Sequence, residues 1–494
     1  MHFLDILIFT LYMMGVIGIG IYFLIRNKGV DDYYVGGRKI GSIHIGLSVV
    51  ATDVGGGFSI GLGGLGFIMG LAGSWMLFTG LVGAWLSAVL LIPRVKQLEA
   101  TKTFYTFPQF LGSFYNPQVA LLAGVISAIG YLGFTSSQVL AGAILAEATF
   151  TPLLDRQTAL IIMGAIVIVY TSMGGIKAVI YTDTVQWIIL MTGLIFVGVP
   201  IAYYSVGGLS GMQEALPPRF FSLGNISWQQ IVNWAVTIIP IWFVGMTLYQ
   251  RIYASRNRKQ AQRAWYIAGL FEWPVMAFMG VLLGLFARVA IAQGAFEYLG
   301  FTEFSQIDAE QGLPLLLRTV LPVGLMGLMM AAYFSAIMST ADSCLMASSG
   351  NFMTDILARW FKVPEGKRAF LMLSQGLTLA LGAIALLLAS VMPSVLDLML
   401  HSYAFMVSGL FVPVITALFV KNARPAAAFW AMLIGGGTTI TLIIGNWPLP
   451  LDLDPNIFGI TLSFISFGLI NFRINKRKKN NNGLHILHTE RQRF

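Results

Sequence analysis

AIMSTADSCLMASS, residues 336–349, is a run of small and hydroxyl-bearing side chains with one acid, set inside a long apolar segment. Hydrocarbon offers nothing to a hydroxyl, and a carboxylate at membrane depth is costly, so such a run faces a cavity, an ion or another helix. Two readings fit. Small oxygen-bearing residues at helical spacing suit a dehydrated hard cation such as sodium, which takes carbonyl and hydroxyl ligands. Ser, Ala and Thr also let membrane helices approach closely. Asp342 favours the first reading, because packing alone does not call for an acid.

The rest of the chain agrees with a membrane setting. It is 57% hydrophobic and 10% charged over 494 residues, with a mean hydropathy of +0.78; a soluble domain carries about 25% charged residues. Apolar runs near the length of a bilayer span recur almost throughout, leaving no room for a soluble catalytic domain. Cys344 is the single cysteine, which excludes an intramolecular disulfide and a Cys-based metal site. His2, His44, His401, His485 and His488 show no ligand spacing. The net charge of +9 is scattered among short loops beside spans, so nucleic acid is not an expected partner; the lipid bilayer is.

Thirteen spans are expected, near residues 4–25, 43–70, 75–93, 118–147, 157–176, 181–205, 229–250, 265–289, 314–344, 369–391, 395–420, 425–446 and 456–472. Lys and Arg concentrate in alternate loops: Arg26 to Lys39, Arg94 to Lys102, Arg251 to Arg263, Arg359 to Arg368, Lys421 with Arg424, and Arg473 to Lys479. The opposite loops carry Glu297, Glu303, Asp308, Asp452 and Asp454. The positive-inside rule then puts the N-terminus outside and the C-terminus in the cytoplasm. Residues 1–472 read as one transmembrane domain, and 473–494 as a disordered basic cytoplasmic tail.

Two spans carry breaks. ATDVGGGFSIGLGGLG, residues 51–66, is dense in glycine, which weakens a helix and allows carbonyls to turn toward an ion. Pro240, in TIIPIWFVG of span seven, removes a backbone donor and frees a carbonyl one turn earlier. Spans two and seven lie five apart, so each would open a five-helix repeat, about 43–205 and about 229–420. Residues 4–25, 425–446 and 456–472 would form peripheral helices. Interrupted segments in corresponding places point to a transporter site at the midplane. Asp53, Asp183, Glu272 and Asp342 fall within the expected spans and are functional candidates for that reason. Glu272 has three readings here: a protonated packing residue, a proton site, or the partner of a cationic solute.

DYYVGGRKIG after span one, ATDVGGG in span two, YTSMGGIKAVIYTDTVQW across spans five and six, YQRIYAS after span seven and AIMSTADS in span nine occur in this order. Together they make the chain resemble the sodium:solute symporter family from about residue 4 to about 472. The resemblance implies an all-α fold with the 5+5 inverted repeat of the leucine transporter, and a bacterial inner-membrane protein importing a small organic solute with sodium. It places the main sodium site on the carbonyls of Ala51, Val54 and Ala336 and the hydroxyls of Ser339 and Thr340. Asp53 matches an acid used in coupling. Asp183, Asp342 and Ser343 mark a second cation or proton site. Phe58, Trp242 and Glu272 fall on solute-pocket positions, Glu272 where sugar-transporting relatives carry a lysine. Asp53 and Gly245 stand where choline-transporting relatives carry tryptophans. The added negative character points to an amine or zwitterion, such as an amino acid or quaternary amine. Proton coupling is the alternative; a membrane sensor is a more distant one, and an enzyme is not expected.

Overall fold

A computed structural model describes residues 2–26, 35–150, 153–173, 176–357, 359 and 367–491; the side chains of 23–26, Asp53, Val54, Phe58, 172–173, 177–178, 367–371 and 477–491 are outside the described set. Helices account for the regular structure there, apart from one short bridge between Ile40 and Ser255. The principal helices are α1 (Phe3–Arg26), α2 (Ser42–Met69), α3 (Trp75–Leu90), α4 (Pro117–Phe150), α5 (Arg156–Met173), α6 (Ile176–Gly193), α7 (Trp228–Val244) and α8 (Met246–Ala254). They continue as α9 (Arg258–Leu270), α10 (Ala277–Ala292), α11 (Ala309–Val320), α12 (Leu325–Asn351), α13 (Lys367–Val391), α14 (Val395–Phe419), α15 (Pro425–Gly445) and α16 (Pro455–Arg491).

Among the described residues, nine helical stretches are long and apolar enough to cross a bilayer, and the bent pair α7–α8 makes a tenth. The stretch Ser59–Leu90 joins the second half of expected span two to span three, and the shorter apolar helices Phe3–Ile19, Ser42–Thr52 and Arg156–Thr171 fall in expected spans one, two and five. Side chains are undescribed just beyond each of these, at 23–26, 53–54 and 172–173. The last helix runs to Arg491, through the basic stretch after residue 473. Lys and Arg are good helix formers and here extend a helix already nucleated by apolar turns.

The helix bearing the opening motif, α12, lies at the centre. Its residues from Met329 to Asn351 are all buried, and it packs against α1, α2, α4 and α6. That explains its composition: a helix enclosed on every side shows no polar stripe. Small residues set the spacing around it. A Cβ added at Gly55 would stand 2.1 Å from Thr340 Oγ1, and one at Gly56 1.9 Å from Ile337 Cγ1. On its other side α2 meets α10 backbone to backbone. A Cβ at Gly284 would lie 1.8 Å from the Gly63 carbonyl, and one at Gly66 2.1 Å from that of Val281.

The two interruptions are placed differently from each other. In α2 the helical path is lost at Gly55 (φ 13°, ψ −161°), and Ser59 Oγ donates to the Gly55 carbonyl at 2.6 Å. In the second case α7 and α8 meet at 42° at Gly245, whose ψ is 116°. Pro240 stays inside α7, so the bend sits five residues later than the proline suggests. The groups freed there find partners: Thr247 N donates to Tyr131 Oη on α4 at 3.2 Å, and Tyr249 Oη donates to the Phe243 carbonyl at 3.0 Å. An unpaired backbone group at this depth would cost several kcal/mol, on the order of a full desolvation penalty.

The α2–α10 contact is directly testable. Gly284→Ala should destabilise the detergent-solubilised protein by about 1–3 kcal/mol through overpacking. Gly437→Ala, where a Cβ meets open space, should leave the thermal midpoint unchanged. Equal midpoints for the two variants would contradict the backbone contact.

Candidate functional site

The expected cation ligands come together where broken α2 crosses α12. Thr340 Oγ1 is 3.1 Å from the Ala51 carbonyl and 3.2 Å from the Ala336 carbonyl, and its one proton is shared between them. Ser339 Oγ, one residue earlier, is buried and has no hydrogen-bond partner. A narrow cavity opens here, lined by Ala51, Gly55 and Ser59 of α2, Ala336 and Ser339 of α12, and Gln186, Trp187 and Leu190 of α6. It offers ≈ 10 Å³ to a particle of water's size, the order required for one small guest. Gln186 Oε1 is also buried without a partner. Neutral carbonyl and hydroxyl oxygens around so small a space suit a monovalent cation. The backbone of Val54 is on α2 beside this point, whereas the side chains of Asp53, Val54 and Phe58 lie outside those described.

Of the second group of expected residues, two are brought together and the third has a separate partner. Arg251 of α8 is completely buried, and its guanidinium occupies the centre of an oxygen cage. Nη2 is 3.3 Å from Asp183 Oδ2, 3.0 Å from Ser343 Oγ and 2.5 Å from Thr52 Oγ1. Nε donates to Ser48 Oγ at 3.1 Å, and Nη1 donates to the Thr247 carbonyl at 3.2 Å. Ser48 Oγ in turn donates to Asp183 Oδ2 at 2.5 Å. Asp183 and Ser343 are thus brought together, but around an arginine. Asp342 instead accepts a hydrogen bond from Thr171 of α5. The carboxylate of Asp183 also stands close to the Ser339 hydroxyl.

Sequence reasoning counted Arg251 among the cytoplasmic loop cations. Its burial corrects that count. The signal was present in YQRIYAS, where apolar and aromatic residues flank the arginine on both sides. An isolated charge could not stay there. The Asp183–Arg251 attraction at this distance is roughly 4–5 kcal/mol at an effective dielectric near 20, set against a desolvation penalty of several kcal/mol per ion. The hydroxyl and carbonyl contacts make up the difference.

Two of the expected solute-pocket residues pack against one face of α3. Trp242 of α7 is fully buried, edge-on to Trp265 of α9 with centroids 6.3 Å apart. A Cβ at Gly83 of α3 would lie 2.4 Å from Trp242 Cδ1. Glu272, also fully buried, lies in a loosened turn between α9 and α10. A Cβ at Gly80 would lie 2.1 Å from its Oε2. Gly80 and Gly83 are three apart on α3, so one glycine face receives both side chains. Met276, from the same turn as Glu272, reaches the narrow cavity between α2, α6 and α12.

Comparison with known proteins gives a consistent set of relatives. The profile of the sodium:solute symporter family matches residues 33–435. The chain is 27% identical to the high-affinity proline transporter of Bacillus subtilis, covering 91% of this chain and 93% of that one. It is 26% identical to the sodium/proline symporter of Escherichia coli, over 94% and 92%. It is 24% identical to the sodium/glucose cotransporter 1 of Ovis aries, over 87% and 70%. Among solved structures, the substrate-bound outward-open state of a sodium-coupled sialic acid symporter superposes with a TM-score of 0.76, at 20% identity and over 95% and 98% of the two chains. That likeness establishes a shared helical fold.

The buried pair carries its own prediction. Asp183→Asn or Arg251→Gln alone strands a buried partner and should destabilise the protein by about 3–5 kcal/mol. The double variant removes both charges and should cost less than the sum. Strictly additive losses in thermal unfolding would show that the two side chains do not interact.

Proposed function

Because the chain belongs to the sodium:solute symporter family, we propose that it imports a small organic solute by coupling it to sodium moving inward. The observation that carries this reading is the meeting of Ala51, Ala336, Ser339 and Thr340 at a cavity fit for one small cation. With Val54 these residues would form the sodium site, and Asp53 would couple it to the solute. A sodium ion crossing 100 mV contributes roughly 2.3 kcal/mol before its concentration gradient is added. Thirteen spans, organised as two inverted five-helix repeats, would supply alternating access. The bends at Gly55 and Gly245 would be the paired interruptions. Basic loops favour an inner-membrane orientation with the C-terminus inside.

The solute we propose carries an amino or quaternary ammonium group. Glu272 and Trp242 on the glycine face of α3 offer charge pairing and an aromatic surface. The proline-transporting relatives accord with an amino-acid-like zwitterion. Proton coupling is a second reading, and one observation favours it: Asp342 is buried with a threonine hydroxyl as partner and, among the described residues, no ion pair. Uptake driven by a pH gradient in sodium-free medium distinguishes the two.

Two measurements test the main reading. Ser339→Ala with Thr340→Ala removes two hydroxyl ligands and should raise the sodium concentration for half-maximal uptake in proteoliposomes roughly tenfold or more, about 1–3 kcal/mol. An unchanged sodium dependence would place the cation elsewhere. Glu272→Gln keeps size while removing charge. It should weaken binding of a cationic or zwitterionic solute by about 1–3 kcal/mol in thermal-shift titrations against amines, amino acids, carboxylates and sugars. A sugar or simple carboxylate emerging as the best ligand would contradict the charge assignment.

A further inference from the structure

We infer that the face carrying the basic loops holds a binding site for a phosphate-bearing anion with two or more negative charges, where the entry to α2 meets the α8–α9 turn. A cavity of ≈ 610 Å³ lies there, within the range of small-molecule sites, about 300–1,000 Å³. Three segments wall it: Arg38 before α2, the short helix Ile92–Glu99 with the turn after it, and residues 255–258 at the α8–α9 turn. It shares no lining residue with the narrow cavity between α2, α6 and α12, and transport as proposed above makes no use of it.

The charges around this cavity do not balance. Arg38, Lys96, Arg256 and Arg258 line it against one acid, Glu99. That acid is already engaged twice, by Arg38 Nη1 at 2.5 Å and by Lys96 Nζ at 2.8 Å. Both cations have a second anchor on the backbone: Arg38 Nη2 donates to the Phe104 carbonyl and Lys96 Nζ to the Ser255 carbonyl, each at 2.8 Å. Arg38, Lys96 and Glu99 therefore form a preset wall. Arg256 and Arg258 are exposed, and among the described residues neither pairs with a carboxylate; Arg258 Nε donates to Gln262 Oε1 at 3.4 Å. The start of α9 opens on the same space through Asn257 and adds its partial positive charge.

A positive surplus gathered around one walled space calls for an anion of more than one charge. Arginine forks match phosphate oxygens two at a time, and basic pockets between membrane helices take the headgroups of anionic lipids. The ligand would also bridge a junction that is already closed by backbone hydrogen bonds, from Ile40 N to the Ala254 carbonyl and from Arg256 N to the Ile40 carbonyl. An anion held by all three segments adds a further tie there, so its binding reads out as stabilisation.

The test measures thermal unfolding of the purified full-length protein at fixed ionic strength. Pyrophosphate in detergent is the soluble probe, and phosphatidylcholine nanodiscs with increasing cardiolipin are the lipid probe. At least one of them should raise the wild-type midpoint saturably. Arg256→Gln with Arg258→Gln removes two exposed cations without touching the Glu99 contacts, and should raise the half-saturating amount roughly tenfold or more. Lys421→Gln with Arg473→Gln removes as many exposed charges away from the cavity and should respond as the wild type does. A response to cardiolipin alone identifies a lipid headgroup as the occupant; a response to pyrophosphate shows that the site takes soluble phosphates. No saturable shift with either probe, an unchanged response in the Arg256 and Arg258 double variant, or equal losses in the two double variants would overturn the inference. None of these results bears on the sodium dependence of uptake.

Discussion

A single buried guanidinium ties together four helices of this protein. Arg251 reaches oxygens on α2, α6, α8 and α12. Two of those helices, α2 and α8, belong to the interrupted segments, and α12 carries the Ser339 and Thr340 hydroxyls. A charge with no exposure to solvent persists only where every donor is met. The helices that supply the acceptors are therefore held in register by it. A shorter or neutral side chain at this position would free four helices at once.

Around that point, small side chains and satisfied carbonyls do the rest. Glycine at 55 and 56 lets α2 lie against Thr340 and Ile337 of α12, which brings the Ala51 carbonyl within reach of a hydroxyl. Glycine at 63, 66 and 284 lets the outer half of α2 rest on α10. At the other end the chain before α2 is pinned to the end of α8: Ile40 N donates to the Ala254 carbonyl at 3.1 Å, and Arg256 N donates to the Ile40 carbonyl at 3.2 Å. Lys96 reaches the Ser255 carbonyl and pairs with Glu99, which also holds Arg38. The chain entering α2 and the end of α8 are thus anchored to one another.

Much of this was legible in the sequence. The hydroxyl run of α12 announced an enclosed polar helix, and glycine density announced the break in α2, because both depend on local residue type. Two other features depend on partners far along the chain. Pro240 was a poor guide to the bend in the α7–α8 pair: a proline inside a membrane helix is tolerated when neighbours accommodate it, whereas the bend follows from Gly245 packing under the Tyr131 hydroxyl. Arg251 read as one more cytoplasmic cation because its side-chain acceptors lie 68 to 203 positions away in sequence. Gln186 gave no signal at all, since a lone amide in an apolar span has meaning only once its neighbours are known.

The most direct test is a high-resolution cryo-electron microscopy map of the protein in lipid nanodiscs containing sodium. The account predicts an ion density between α2 and α12, bounded by Ala51, Val54, Ala336, Ser339 and Thr340, together with side-chain density for Arg251 continuous to Asp183 and Ser343. Ion density among Ser48, Asp183 and Ser343, with Arg251 turned out toward solvent, would contradict it.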